Sequence, residues 1–187
     1  MDTNSIISDI YSMPAISVKL FESYLSKVIY PKGYHLLEAR KIETNIYFLQ
    51  KGIVRAYTPI KGKKVTFWFG CEGATVVSLK SYVDNKPGYE TIELMEDSVL
   101  YVLRKKDLFE LFEKDINIAN WGRKFVEIEL IKAEERIISL LFKNASERYN
   151  DLLGSMPDLL QRIPLGIIAS YLGITQVSLS RIRAKIK

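Results

Sequence analysis

Residues 163–187 read "IPLGIIASYLGITQVSLSRIRAKIK". Three structures compete for this stretch: a frayed basic tail, a pair of core helices, and a helix-turn-helix. Pro164 stands where a helix can begin, because the first turn makes no use of the N–H that proline lacks. Residues 165–172 continue as a helix. Gly173 then lets the chain leave through positive φ at little steric cost. Ile174 is apolar and can plug the corner, and Thr175 is a good N-cap for a second helix over 176–186. Ala169 is small where two helices must approach closely, and Ile168, Leu172, Leu179 and Ile182 are apolar where they must pack. A tight helix-turn-helix requires that order of residues; a purely structural corner would use the same set.

The packing leaves one face of the second helix free. Gln176, Val177, Ser180 and Arg181 point outward near its N-terminus, the part of a recognition helix that reaches base edges in the major groove. Gln can pair bidentately with adenine and Arg with guanine. Ser178, Arg183, Lys185 and Lys187 suit phosphates, which give affinity and register without sequence information, and the helix N-terminus capped by Thr175 can itself bind a phosphate.

Charge separates the DNA reading from the structural corner. The net charge is +5, and all 22 acidic residues lie at or before Asp158. The first 158 residues hold 22 of the 27 cations and are neutral overall, so the whole excess sits in the last 29. A neutral body with one basic end points to an anionic partner bound at that end. A solvated basic helix terminus is the bland alternative, since cations there also complement the helix dipole.

Upstream the texture changes twice. Residues 3–29 carry Ile6, Ile10, Val18, Leu25 and Val28 at loosely helical spacing, broken at Pro14, and predict helix. Residues 30–103 instead hold short β-rich runs such as "NIYFLQKGIVRAYTPI", "KKVTFWF" and "SVLYVL", punctuated by glycine. "PIKGKK" (59–64) is a natural hairpin turn. Many short strands at even spacing predict an antiparallel roll or sandwich. Helix returns with "KKDLFELFEKD" and a long stretch nearly free of breakers from Asn117. About 25 helical residues span ~38 Å, more than a small domain needs. Trp121, Phe125, Ile128, Ile131, Glu135 and Ile138 fall near one face, which either seats a second subunit or packs on the chain's own β-body.

Other function classes find little support. One cysteine, Cys71, excludes an internal disulfide. One histidine, His35, cannot build a His-rich metal site, and no nucleophile elbow or phosphate-binding glycine motif occurs. The sequence thus predicts neither enzyme nor cofactor nor metal. The N-terminus lacks a signal-peptide pattern and no run approaches the ~20 apolar residues of a membrane span, so a cytoplasmic location without a membrane partner is expected.

Taken in order, "YPKGYHLLE", "NIYFLQKGIVRAY", "GKKVTFWFGCEGATVVS", "EDSVLYVLRKKDLFEL" and "IPLGIIASYLGITQVSLSRIR" resemble the Crp/Fnr family of bacterial transcription regulators, from about Leu20 onward. The resemblance implies an α+β fold. Residues 1–115 would form a cyclic-nucleotide-binding-like β-roll with flanking helices, 116–143 a dimerisation helix, and 144–187 a helix-turn-helix of winged-helix type. It further implies a homodimer on a two-fold symmetric double-stranded DNA site, with RNA polymerase as a candidate partner. Cyclic-nucleotide-binding members carry a Gly-Glu pair and an Arg followed by a small hydroxyl residue; here those positions read Val77-Ser78 and Gly88-Tyr89, so cyclic AMP is not expected. Phe67, Phe69, Val77, Ser78, Leu79 and Tyr89 either line a pocket for an unknown effector or fill the roll. Many members continue into a further strand that helps form a winged helix; a wing made only from residues before the second helix is the alternative. The alternative to a DNA reader is a sensory or protein-interaction module whose terminal helices bind protein.

Overall fold

The computed structural model describes residues 2–186. Two compact units are present. The first comprises residues 1–56 and 69–129, and the second residues 57–68 and 130–187. These boundaries differ from the expected ones at 115 and 143. One long helix is shared between the units, and a hairpin from the β-rich half belongs with the C-terminal helices.

In the first unit, α1 (Thr3–Ile10) starts where the Asp2 carboxylate accepts the Ser5 N–H at 2.7 Å, and α2 (Ala15–Ser23) follows Pro14. The predicted helix stops there. Residues Ser26–Tyr30 form β1, with Val28 opposite Leu100 of β8 (Ser98–Leu103). Val28 and Ile29 are β-branched, and strand pairing outweighs the helical spacing of Leu25 and Val28. The remaining strands are β2 (His35–Leu37), β3 (Ile46–Lys51), β4 (Val54–Ile60), β5 (Lys63–Gly70), β6 (Thr75–Val76) and β7 (Thr91–Leu94). Two four-stranded sheets run in the orders β1-β8-β3-β6 and β2-β7-β4-β5. The pairings of β1 and β3 with β8, β2 with β7, and β3 with β6 are all antiparallel, as the even spacing of short strands predicted.

Helix α3 (Leu79–Asp84) interrupts the strands, and α4 (Lys105–Lys114) and α5 (Ile116–Phe142) follow them. Trp121 anchors this unit. Its indole N–H donates to the Ile7 carbonyl at 3.0 Å, and its ring lies edge-on to Phe21 at 4.9 Å and stacks on Phe125 at 5.8 Å. Ile6, Phe48, Leu103, Leu111 and Ile118 complete the cluster. Burying such aromatic rings is a large share of what holds a small core.

α5 has 27 residues, about 40 Å at ~1.5 Å per residue. It stops before Asn144, which caps α6 (Ala145–Ser155). The Asn144 side chain accepts the Ser146 and Glu147 N–H groups, and the Glu147 carboxylate accepts the Asn144 N–H at 2.7 Å. This reciprocal capping box separates α6 from α5. α7 (Leu159–Arg162), α8 (Leu165–Leu172) and α9 (Gln176–Ile186) complete the second unit. Its core holds Tyr149, Leu152, Leu159, Ile163, Ile168, Leu172 and Leu179.

Candidate nucleic-acid interface

Pro164 precedes α8, and Gly173 ends it at φ 70°. The Ile174 N–H then donates back to the Ala169 carbonyl at 3.0 Å, closing a left-handed C-cap that a Cβ at 173 would strain. Thr175 caps α9 through its hydroxyl oxygen, which accepts the Ser178 N–H at 3.1 Å. The two helices meet at 94°, within the range of helix-turn-helix corners. Ile168, Ala169, Leu172 and Leu179 are buried between and beneath them, as the order of residue sizes predicted.

Gln176, Val177, Ser180 and Arg181 are exposed on the first turns of α9, together with Thr175. Ser178 is half-buried, and its hydroxyl lies 2.9 Å from that of Thr175, so it belongs first to the cap. Arg183 is half-buried and Lys185 exposed; Lys187 lies outside the described residues.

Two arginines hold the end of α8 where the turn begins. Arg136 of α5 donates to the Tyr171 carbonyl and lies over the Tyr171 ring at 4.0 Å. Desolvation lowers its pKa from the usual arginine value. Arg148 of α6 donates through Nε (3.2 Å) and a terminal nitrogen (2.9 Å) to the Leu172 carbonyl, and through its other terminal nitrogen to the Lys143 carbonyl at 2.5 Å. Charge-assisted bonds to the last carbonyls of a helix also suit its dipole. Sequence reading missed both residues, because their acceptors are backbone atoms 35 and 24 residues away that leave no mark in residue type.

α5 presents a different face from the one expected. Trp121 is not an interface residue but a core residue of its own unit, only 2% exposed, and Phe125 stacks on it. Ile128 is half-buried and Glu135 exposed. Ile131 and Ile138 are exposed and lie on a narrow stripe with Phe142. The fuller stripe is Val126, Leu130, Ala133, Ile137 and Leu140, all exposed and spaced four, three, four, three. A 3.5-residue repeat of that kind is the seam of a paired helix.

The six residues considered for an effector pocket differ in exposure. Phe67 belongs to the second unit and the other five to the first. Phe69 and Ser78 are buried, but Leu79 and Tyr89 are 54% and 60% exposed, since α3 and the following loop turn them to solvent. Ser78 ends its segment against Gly88. A Cβ on Gly88 would lie 2.6 Å from the Ser78 hydroxyl and 3.2 Å from the Glu90 carboxylate. Glu90 is buried, and its carboxylate accepts the Tyr89 N–H at 3.1 Å. His35 is exposed on β2.

Residues 27–115 match the family model of the cyclic nucleotide-binding domain. Among solved structures the chain is similar to FixK2 from Bradyrhizobium japonicum, at 19% identity and TM-score 0.74, over 87% of this chain and 84% of that one. The chain thus shares its fold with regulators of the Crp/Fnr type. The same architecture recurs in the catabolite activator protein of Thermus thermophilus, at 20% identity and TM-score 0.62, over 97% and 86% of the two chains. It recurs again in a protein described as a transcriptional regulator of the Crp/Fnr family from Eubacterium rectale, at 16% identity and TM-score 0.69, over 91% and 82%. No curated protein sequence matches the chain.

The family model implies a cyclic nucleotide, and the residues of this roll fit one poorly. Within residues 75–91 the cations are Lys80 and Lys86, both exposed, and Lys80 pairs with Asp84 at 3.4 Å. The buried charge beside Ser78 and Gly88 is the Glu90 carboxylate, of the same sign as a cyclic phosphate. Arg55, buried on β4, lies 3.6 Å from Glu93. A phosphate brought in here would meet a carboxylate in low dielectric without an arginine on the loop to balance it.

Proposed function

We propose that this chain is a sequence-specific DNA-binding transcription regulator of the Crp/Fnr type that acts as a homodimer and whose roll does not take cyclic AMP. One observation carries the reading: a 94° helix pair with Gln176, Val177, Ser180 and Arg181 exposed at the start of its second helix, in a segment free of acid after Asp158. The exposed residues fit base edges, and Arg183, Lys185 and Lys187 fit phosphates. Leu130 and Ile137 on α5 fit the seam of a dimer that places two such helices on a two-fold site. The Glu90 carboxylate supports the exclusion of a cyclic phosphate.

The test is a titration of purified protein against duplexes recovered by genome-wide mapping, repeated across salt concentrations. A DNA reader loses affinity steeply, with log K falling linearly in log salt at a slope of about −0.9 per phosphate contacted. A protein-binding module would give no protected inverted repeat and a shallow, sequence-independent slope.

A further inference from the structure

Strand β5 lies at the edge of its sheet. Alternate residues of an edge strand present N–H and C=O groups with no neighbouring strand to take them. At Lys64 and Thr66 these groups are taken by one side chain of the helix-turn-helix. The Thr66 N–H donates to the Ser170 hydroxyl oxygen at 3.0 Å, and the Ser170 hydroxyl donates to the Lys64 carbonyl at 3.2 Å. A single serine therefore bonds residues i and i+2 of the strand, as a neighbouring strand would. Thr66 is buried although it lies on an edge.

The hairpin is built to keep that edge in place. Its turn residues, Lys61 and Gly62, both have positive φ, 49° and 78°, as a tight two-residue hairpin turn requires. Lys64 lies over the Tyr57 ring at 4.7 Å, across the two arms. Residues 57–68 belong to the same compact unit as α6 to α9, while β4 begins and β5 ends in the other unit. Ser170 itself is three residues before Gly173, on the helix whose last carbonyls Arg136 and Arg148 bind. α8 is thus fastened by α5, by α6 and by the hairpin, and α9 takes its direction from α8 through Leu172 and Leu179.

We propose that the β4–β5 hairpin is a working part of the DNA-reading unit, and that Ser170 is a positioning residue which, by bonding the Thr66 N–H and the Lys64 carbonyl of β5, sets the orientation in which α9 meets DNA. The inference rests on the DNA reading above. Ser170 touches no base; it acts through α8.

The experiment compares full-length wild type, Ser170→Ala and Ser170→Thr by hydrogen exchange of the segment 57–68 and by binding to a duplex carrying the mapped inverted repeat. Alanine favours helix, so the variant keeps its fold, but it leaves the Thr66 N–H unpaired. Ser170→Ala is expected to speed exchange in 57–68 and to weaken duplex binding about three- to tenfold, with the salt slope unchanged because no phosphate contact is lost. Ser170→Thr keeps the hydroxyl and restores both. Unchanged exchange means that the latch is not there. Faster exchange with unchanged affinity means that the hairpin only packs on α8; either result overturns the proposal. A wild type that binds no duplex overturns the DNA reading and the positioning role with it, while the exchange comparison still reports on the latch.

Discussion

Replacing Ile137 with alanine tests the α5 seam most directly. Ile137 is 57% exposed in the single chain and sits at the centre of the stripe Val126, Leu130, Ala133, Ile137 and Leu140. Fully burying an isoleucine side chain contributes about 1.5–3 kcal/mol. With 57% of the side chain still to be covered, pairing gains about 1–1.5 kcal/mol per copy. In a two-fold interface each substitution counts twice. The dimer should therefore lose about 2–3 kcal/mol, which raises its dissociation constant about 30- to 150-fold. Sedimentation equilibrium over a concentration series reads this shift. Ile16→Ala, on α2 and also highly exposed, is the control and should leave association unchanged. Exposed substitutions of this kind alter monomer stability by only about 0.5 kcal/mol, so unchanged thermal melts of dilute protein separate association from folding. A shift below threefold for Ile137→Ala, or an equal shift for Ile16→Ala, would refute the seam.

Three further outcomes are expected. Arg181→Ala should lose about 1–3 kcal/mol of discrimination between the preferred duplex and a single-base variant, whereas Lys185→Ala should weaken both about equally and flatten the salt slope, all read by competition binding. Adding cyclic AMP at millimolar concentration should leave the melting temperature unchanged; a ligand at about 100 times its Kd would add roughly 2.7 kcal/mol. Hydrogen bonds from Ser17 and from the Asn117 backbone hold the Asp115 carboxyl below its ordinary 3.8, and bonds from Lys114 and Tyr24 hold Glu110 below its ordinary 4.5. Depressed carboxyl values give stability that is complete above the unfolded values and lost as pH falls through the folded ones. Melts should therefore weaken progressively below about pH 4.5, and Asp115→Asn should reduce that slope.

The helix pair on either side of Gly173 was the most legible part of the sequence. Its information is local: Pro164, Gly173 and Thr175 act on their own backbone, and Ala169, Ile168, Leu172 and Leu179 are few residues apart. The hairpin at Lys61 and Gly62 was legible for the same reason. The N-terminal stretch was misread past Ser23, because whether Val28 becomes strand depends on β8, some seventy residues away. The exposed stripe on α5 differs from the sequence reading for a related reason. Trp121 and Phe125 are as apolar as Leu130 and Ile137, and only the fold reveals that the first pair is spent on the chain's own core.

What the sequence determined by itself was therefore everything set by neighbours along the chain: turn chemistry, helix caps, the antiparallel texture, and the segregation of positive charge after Asp158. Tertiary structure alone decided which apolar faces stay open, that Glu90 is the buried charge beside Gly88, and that Arg136, Arg148 and Ser170 fasten α8. Those last contacts end on backbone carbonyls and amides. Every residue carries such groups, so no residue type announces which of them a distant side chain will find.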